Sequence, residues 1–104
     1  MKLSEKPFII VLDLTNCKTL YDVHETIRKT FNFPEWYGKN WSAFDDLLYA
    51  PEEYTVIQLR GYTVLPKNIA SYCTKIVDIL EKKKKYYKKM QDKFNIQFDY
   101  IIIN

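Results

Sequence analysis

The chain has 104 residues, of which 47% are hydrophobic and 28% charged, as in an ordinary soluble globular protein. This length fits one domain, which we predict over residues 1–104. No apolar stretch approaches the roughly 20 residues that a membrane helix needs, which excludes a membrane-spanning protein. The N-terminus has only a short apolar run and no small-residue cleavage site, so we expect no signal peptide.

The net charge of +3 conceals two regions of opposite charge. Residues 81–93 carry seven lysines against Glu81 and Asp92, which leaves a local charge of +5. Residues 35–53 carry five acidic residues against Lys39, which leaves −4. Charge asymmetry of this kind points to binding partners rather than to fold, and we expect the basic run to lie outside the acidic surface.

The two cysteines, Cys17 and Cys73, lie far apart in the sequence and form no C-x-x-C pair. This spacing favours two reduced thiols packed in the core, although it leaves a single disulfide open. Reduced thiols are typical of the cytoplasm, which is the location that we expect for this protein.

Three apolar runs predict buried strands at residues 8–12, 54–59 and 98–103. The first and third show little polar alternation, which is typical of central strands covered on both faces. Because long helical segments separate the three runs, the crossovers favour a parallel sheet. The predicted fold class is α/β, with a three-stranded parallel sheet packed against helices in the order β-α-α-β-α-β.

The first predicted helix covers residues 20–31 and begins at Lys18 or Thr19, while Pro34 prevents its continuation. Its apolar stripe consists of Leu20, Val23, Ile27 and Phe31. His24 lies between residues of this stripe, which favours a partly buried structural histidine.

A second, shorter helix is predicted over residues 41–49, after a turn at Gly38 and with Asn40 as its N-cap. Pro51 prevents it from continuing. Its apolar stripe consists of Trp41, Phe44, Leu47 and Leu48. Its other side carries Ser42, Asp45, Asp46 and Tyr49.

The third predicted helix starts near Pro66 or Lys67 and extends to about residue 93, which makes it the longest of the three. Its buried stripe consists of Ile69, Cys73, Ile76 and Leu80. Three larger residues continue this stripe in register, namely Tyr87, Met90 and Phe94.

No arrangement of residues in the sequence indicates catalysis or a bound metal. His24 is the only histidine and has no neighbouring cysteine, which argues against a zinc site. The chain has only two glycines and therefore no glycine-rich phosphate loop. The adjacent Asp45 and Asp46 diverge by roughly a third of a turn on a helix, a poor geometry for a shared acid–base pair. We predict that the protein is not an enzyme and uses no cofactor.

Residues 22–48, DVHETIRKTFNFPEWYGKNWSAFDDLL, resemble the barstar family, the intracellular protein inhibitors of barnase-like secreted ribonucleases. The resemblance depends on proline, two aromatic residues, glycine and asparagine at fixed spacing ahead of an amphipathic helix. It covers about residues 8–80 and the last strand, and it gives the lysine-rich run no counterpart. It implies the β-α-α-β-α-β fold and a function in which the second helix and the segment before it plug a ribonuclease active site.

The resemblance also implies which residues contact the partner. The key carboxylate of the family falls on Asp46, and the aromatic residue that packs against the enzyme falls on Trp36, where tyrosine is usual. Ser42 occupies a position that is acidic in the founding member, and Asp45 replaces an aromatic residue. The full predicted partner-binding set is Trp36, Tyr37, Gly38, Asn40, Ser42, Asp45, Asp46 and Tyr49.

Our main hypothesis is an inhibitor that is monomeric when free and binds a secreted or toxin ribonuclease, without membrane or nucleic-acid partners. Carboxylates on a rigid helix can mimic phosphates in a basic cleft, and aromatic residues at the edge add contact area. Two alternatives keep the fold but change the role. Trp36 and Tyr37 can cap the core while Asp46 is merely solvated, or the scaffold can bind a partner that is not a ribonuclease.

A further alternative assigns the function to the lysine-rich segment 81–93. Its lysines can neutralise nucleic-acid phosphates while Tyr86 or Tyr87 stacks on bases. A solvated helix end explains the segment better, because the run is short and contains no arginine.

Overall fold

The computed structural model describes residues 6–103 of the chain. Its elements follow the predicted order, with a 3-10 turn and one short helix added. In chain order they are β1 (Phe8–Asp13), α1 (Leu20–Thr30), α2 (Trp41–Leu47), β2 (Tyr54–Arg60), the 3-10 turn (Tyr62–Val64), α3 (Lys67–Lys89), α4 (Gln91–Phe94) and β3 (Gln97–Ile103). The strands form one parallel sheet in the order β1-β2-β3, which confirms the predicted α/β class.

The middle strand of this sheet is β2, so the prediction that the first and third strands are central and covered on both faces is wrong. Right-handed crossovers that advance in one direction across a sheet place their helices on one face. Accordingly Leu12, Leu59 and Phe98 are buried, whereas Val11 and Ile101 on the opposite face are exposed. The two edge strands also carry apolar residues on that exposed face. Their sequences therefore lack the alternation of apolar and polar residues that normally marks a half-buried strand.

A reciprocal pair of hydrogen bonds fixes the start of α1 at Thr19. The Thr19 hydroxyl accepts a hydrogen bond from the N–H of Asp22, and the Asp22 carboxylate accepts one from the N–H of Thr19, both at 3.1 Å. This capping box satisfies backbone donors that the first turn of a helix leaves free. At the other end, Asn32 adopts a left-handed conformation with φ of 56°, which directs the chain away from the helix before Pro34.

The long helix α3 supplies a large part of the core. It has 23 residues and is therefore about 35 Å long. Cys73, Ile76 and Leu80 on its inner side are fully buried, as the predicted stripe requires. The predicted continuation to residue 93 is interrupted at Met90, where α3 ends and the short helix α4 follows.

The two cysteines lie in the core as free thiols, which agrees with the prediction of packed, unpaired cysteines. Burial raises the pKa of the Cys17 and Cys73 thiols, so both stay protonated and unreactive at neutral pH. Within residues 6–103, no helix is both long and apolar enough to cross a membrane.

Candidate functional site

In the segment between α1 and α2, two aromatic side chains are buried and a third is exposed to solvent. Phe33 and Tyr37 are buried, and their ring centroids lie 5.3 Å apart. A tight turn joins them, in which the N–H of Tyr37 donates to the carbonyl of Pro34 at 2.9 Å. Trp36 lies within this turn and is 74% exposed. The exposure of Trp36 therefore follows from the anchoring of its neighbours.

Tyr37 lies in the core, where only 3% of its surface is exposed, and this corrects the sequence analysis, which grouped it with the partner-facing residues. The Tyr37 hydroxyl is 2.8 Å from Nδ1 of His24 on α1. Burial raises the pKa of the Tyr37 hydroxyl far above its usual range, so it stays protonated. Tyr37 thus ties the segment to α1 instead of offering its ring to solvent.

The turn before α2 is held by side chains, and the residue with the special backbone conformation is Lys39 rather than Gly38. Lys39 has a φ of 51°, while its ammonium group lies 3.6 Å from the Glu25 carboxylate on α1. Asn40 accepts a hydrogen bond from the N–H of Ala43 at 2.8 Å, which confirms it as the N-cap. Its side-chain amide also donates to the carbonyl of Gly38. A Cβ at Gly38 would lie 3.1 Å from that amide nitrogen, so glycine leaves room for the cap.

The helix α2 is anchored by one fully buried side chain and ends earlier than predicted. Phe44 has no exposed surface and lies in the core beside Phe31 and Phe33. The helix stops at Leu47, because Leu48 takes an extended conformation and turns its side chain into the core. Tyr49 therefore lies beyond the helix and is exposed.

Trp41, at the start of α2, is half-buried, whereas the sequence analysis placed it in the core. Its ring packs against His24, with centroids 4.3 Å apart. The His24 side chain thus lies between Tyr37 and Trp41, and it joins α1 both to the segment that precedes α2 and to the first residue of α2.

The two adjacent aspartates of α2 have different surroundings. Asp46 is exposed and forms no ion pair with any residue in the range 6–103. Asp45 is 26% exposed and accepts a hydrogen bond from the Lys82 ammonium group on α3, with 2.7 Å between the two atoms. This bond raises the pKa of Lys82. Ser42, one turn before Asp46, is also exposed.

The basic run touches the acidic helix, so the expectation that it lies outside the acidic surface is wrong. A depression of about 280 Å³ separates the two helices and is lined from both sides, by Asp45, Asp46, Lys82, Lys83 and Tyr86. The prediction failed because positions that lie far apart in the sequence come together only when α2 packs beside α3.

The structure gives the nucleic-acid alternative little support. Of its two tyrosines, Tyr87 is buried and its hydroxyl oxygen accepts a hydrogen bond from the N–H of Ala50. Three lysines of the run form ion pairs inside the protein, in the pairs Lys82–Asp45, Lys84–Asp99 and Lys85–Glu81. Only Tyr86 of the predicted stacking pair remains exposed.

The buried position of His24 predicts a pH-dependent stability. Burial, with a smaller contribution from the nearby Lys39, lowers the pKa of His24 below its ordinary value of 6.5. As the pH falls through 6.5, the unfolded chain binds a proton before the folded chain does. The stabilisation is therefore complete above pH 6.5 and decreases as the pH falls toward the folded-state pKa.

We expect the free energy of unfolding, measured with urea, to decrease between pH 7 and pH 5, before most carboxylates titrate. In the His24→Gln variant this slope should be largely absent, even if the variant is less stable at pH 7. Equal slopes in both proteins would contradict the role given to His24.

The fold and this surface define a small α/β protein in which an aromatic turn and a short helix present Trp36 and Asp46 to solvent. The chain belongs to the barstar family, because the model of that family, described as Barstar (barnase inhibitor), matches residues 8–99. A search of the curated proteins gave no match. Members of the family are inhibitors of barnase-like ribonucleases, which suggests that this chain is not an enzyme.

Proposed function

We propose that this protein inhibits a barnase-like ribonuclease by covering the active site with α2 and the segment before it. The family supports this function in general terms. The observation that carries the specific proposal is an exposed carboxylate at Asp46, which has no ion pair among the described residues 6–103, together with a 74% exposed indole at Trp36. Both belong to a unit that is anchored in the core by the buried rings of Phe33, Tyr37 and Phe44.

The position of Asp46 within α2 supports a role in binding. It lies in the last turn of a seven-residue helix, where the negative end of the helix dipole disfavours an anion. Its carboxylate is therefore not explained by helix stability. A ribonuclease active site is a basic cleft that holds phosphates, and a carboxylate can replace a phosphate there through charge-assisted hydrogen bonds to arginine or lysine.

The rigidity of the segment supports a binding role for Trp36. An indole has few rotatable bonds, so its immobilisation at an interface costs little conformational entropy. The backbone on either side is already fixed by Phe33 and Tyr37, and Arg28 holds Glu35 at 3.3 Å. We propose that Trp36 packs against the rim of the cleft.

The remaining predicted site residues receive distinct roles in this proposal. Asn40, Ser42 and Tyr49 are exposed and supply polar contacts around Asp46, while Gly38 leaves space for the Asn40 cap. Tyr37 is a positioning residue, because its side chain is buried in the free protein. We propose that the partner is a secreted or toxin ribonuclease, and that the inhibitor acts in the cytoplasm as a monomer.

Inhibition of RNA cleavage by barnase tests the proposed function. We expect the folded protein to inhibit in a one-to-one complex, with stoichiometry measured by calorimetry. A folded protein that leaves barnase fully active and shows no heat of binding would contradict the proposal.

The two tryptophans provide a spectroscopic prediction. Trp36 is exposed in the free protein and becomes buried in the proposed complex, whereas Trp41 already packs against His24. We expect Trp36→Phe to remove most of the change in the inhibitor's own fluorescence on binding, measured with tryptophan-free barnase or with a labelled inhibitor. The matched variant Trp41→Phe should retain that change, and the reverse pattern would show that the wrong indole has been assigned to the interface.

A further inference from the structure

The ion pair between Asp45 and Lys82 joins the proposed binding helix to the basic run of α3. The ammonium group of Lys82 lies 2.7 Å from Asp45 Oδ2 and also experiences the charge of Asp46. Lys82 is 70% exposed, so its charge is open to an approaching partner. Two charges of opposite sign, those of Asp45 and Lys82, therefore lie close to Asp46.

This placement matters for association because the charges around a binding site steer the partner and raise the rate of encounter. A carboxylate at Asp45 would attract a cationic cleft, and an ammonium at Lys82 would repel it. Held in contact, the two approach a neutral unit at distances beyond a few ångströms. Within residues 6–103, Asp46 is then the carboxylate of α2 that has no ion pair to balance its charge.

We propose that Lys82 is a specificity-determining residue that acts as an internal counter-ion and withdraws Asp45 from recognition of the partner. This inference rests on the proposed function. It deepens that function by defining the partner: a ribonuclease with a compact cationic group opposite Asp46, rather than one that needs two carboxylates on α2.

A double-mutant cycle with barnase as the probe tests the inference. The four proteins are the wild type, Lys82→Gln, Asp45→Asn and the double variant, and the quantity is the association rate constant from stopped flow. At low salt we expect Lys82→Gln to raise this constant about threefold or more and Asp45→Asn to lower it comparably. The double variant should return to within about twofold of the wild type, because it removes a neutral pair. All differences should shrink at high salt.

Lys85→Gln is the matched control for the net charge. It removes the same charge one turn further along α3, where Lys85 is 76% exposed and lies 3.9 Å from Glu81. We expect it to change the association rate constant by less than half the effect of Lys82→Gln. Equal effects of the two variants would show that net charge alone is responsible and would overturn the inference.

Two other binding results would also overturn it. If the double variant is as weak as Asp45→Asn, Asp45 contacts the partner directly despite Lys82. If Lys82→Gln weakens binding, Lys82 itself contacts an acidic group of the partner.

A measurement on the free protein separates this inference from the proposed function. The Asp45 hydrogen bond raises the pKa of Lys82, so Asp45→Asn should lower it, as followed by NMR titration of the Lys82 ammonium group. An unchanged titration would show that the pair does not persist in solution, which overturns the inference and leaves the proposed function intact. A normal pair in a protein that fails to inhibit barnase in all four forms would overturn the proposed function, and the role of Lys82 with it.

Discussion

Replacing Asp46 with alanine is expected to weaken binding to barnase by about 2 kcal/mol or more, which is roughly a 30-fold rise in Kd. The reason is that Asp46 is the exposed carboxylate of α2 without an ion pair inside the described part of the protein, residues 6–103. In a desolvated basic cleft, its loss would leave cations of the enzyme without their partner. The melting temperature should not fall, because the helix dipole disfavours an anion at this end of α2.

Asp92→Ala is the matched control, since it removes the same charge from an exposed position on α4. Calorimetry of both variants against barnase, with thermal unfolding measured in parallel, separates binding from stability. We expect Asp92→Ala to bind within about twofold of the wild type, as is usual for a charge remote from an interface. If Asp46→Ala retains the wild-type Kd, the placement of α2 in the active site is wrong.

Phe44→Ala is expected to give the largest loss of stability, about 3–5 kcal/mol in the free energy of unfolding. Phe44 is fully buried, and its ring centroid lies 5.8 Å from that of Phe31 and 6.4 Å from that of Phe33. Removing it leaves a cavity beneath α2. Because domains of this size are stable by only about 5–15 kcal/mol, the variant should be close to its limit of stability.

The control for Phe44 is Phe94→Ala on α4, which removes the same side chain from a position that is 44% exposed. Urea denaturation should show a loss below about half of the Phe44 value, because an exposed ring buries less surface on folding. A similar loss for both variants would mean that Phe44 does not anchor α2 as the packing indicates.

The order of the elements and the start of α2 were predictable because local chemistry determines them. Apolar residues at helical spacing marked α1, α2 and α3, and Asn40 marked the start of α2 through the hydrogen bond that its side chain makes to Ala43. The predicted ends were less accurate. In the sequence, Pro51 is the strongest signal for the end of α2. The helix already ends at Leu47, because Leu48 leaves the helical conformation and buries its side chain.

The orientation of the aromatic pair could not be predicted from the sequence. Trp36 and Tyr37 are adjacent, and no periodic pattern states which of two neighbours in a turn is buried. The tertiary contact with His24 decides it, because a buried tyrosine hydroxyl needs a hydrogen-bond partner and His24 Nδ1 lies at 2.8 Å. His24 was itself predicted to be partly buried, but nothing in the sequence linked it to Tyr37.

The contact between Asp45 and Lys82 also could not be predicted from the sequence. The charge runs were visible in the sequence, yet their distance in space depends on how α2 packs beside α3. The sequence therefore placed Asp45 and Asp46 on one polar face, with Asp46 as the key carboxylate, but it did not indicate that Asp45 is paired with a lysine. The ion pair makes them different, and this difference leads to the proposed role of Lys82.

The central claim, that α2 occupies the active site, is tested most directly by the kinetics of barnase inhibition over a range of RNA substrate concentrations. Occupation of the active site by α2 predicts competitive inhibition, in which the apparent inhibition constant rises linearly with substrate concentration and saturating substrate restores the maximal rate. An inhibition constant that does not depend on substrate concentration would place the binding site outside the active site and contradict this claim.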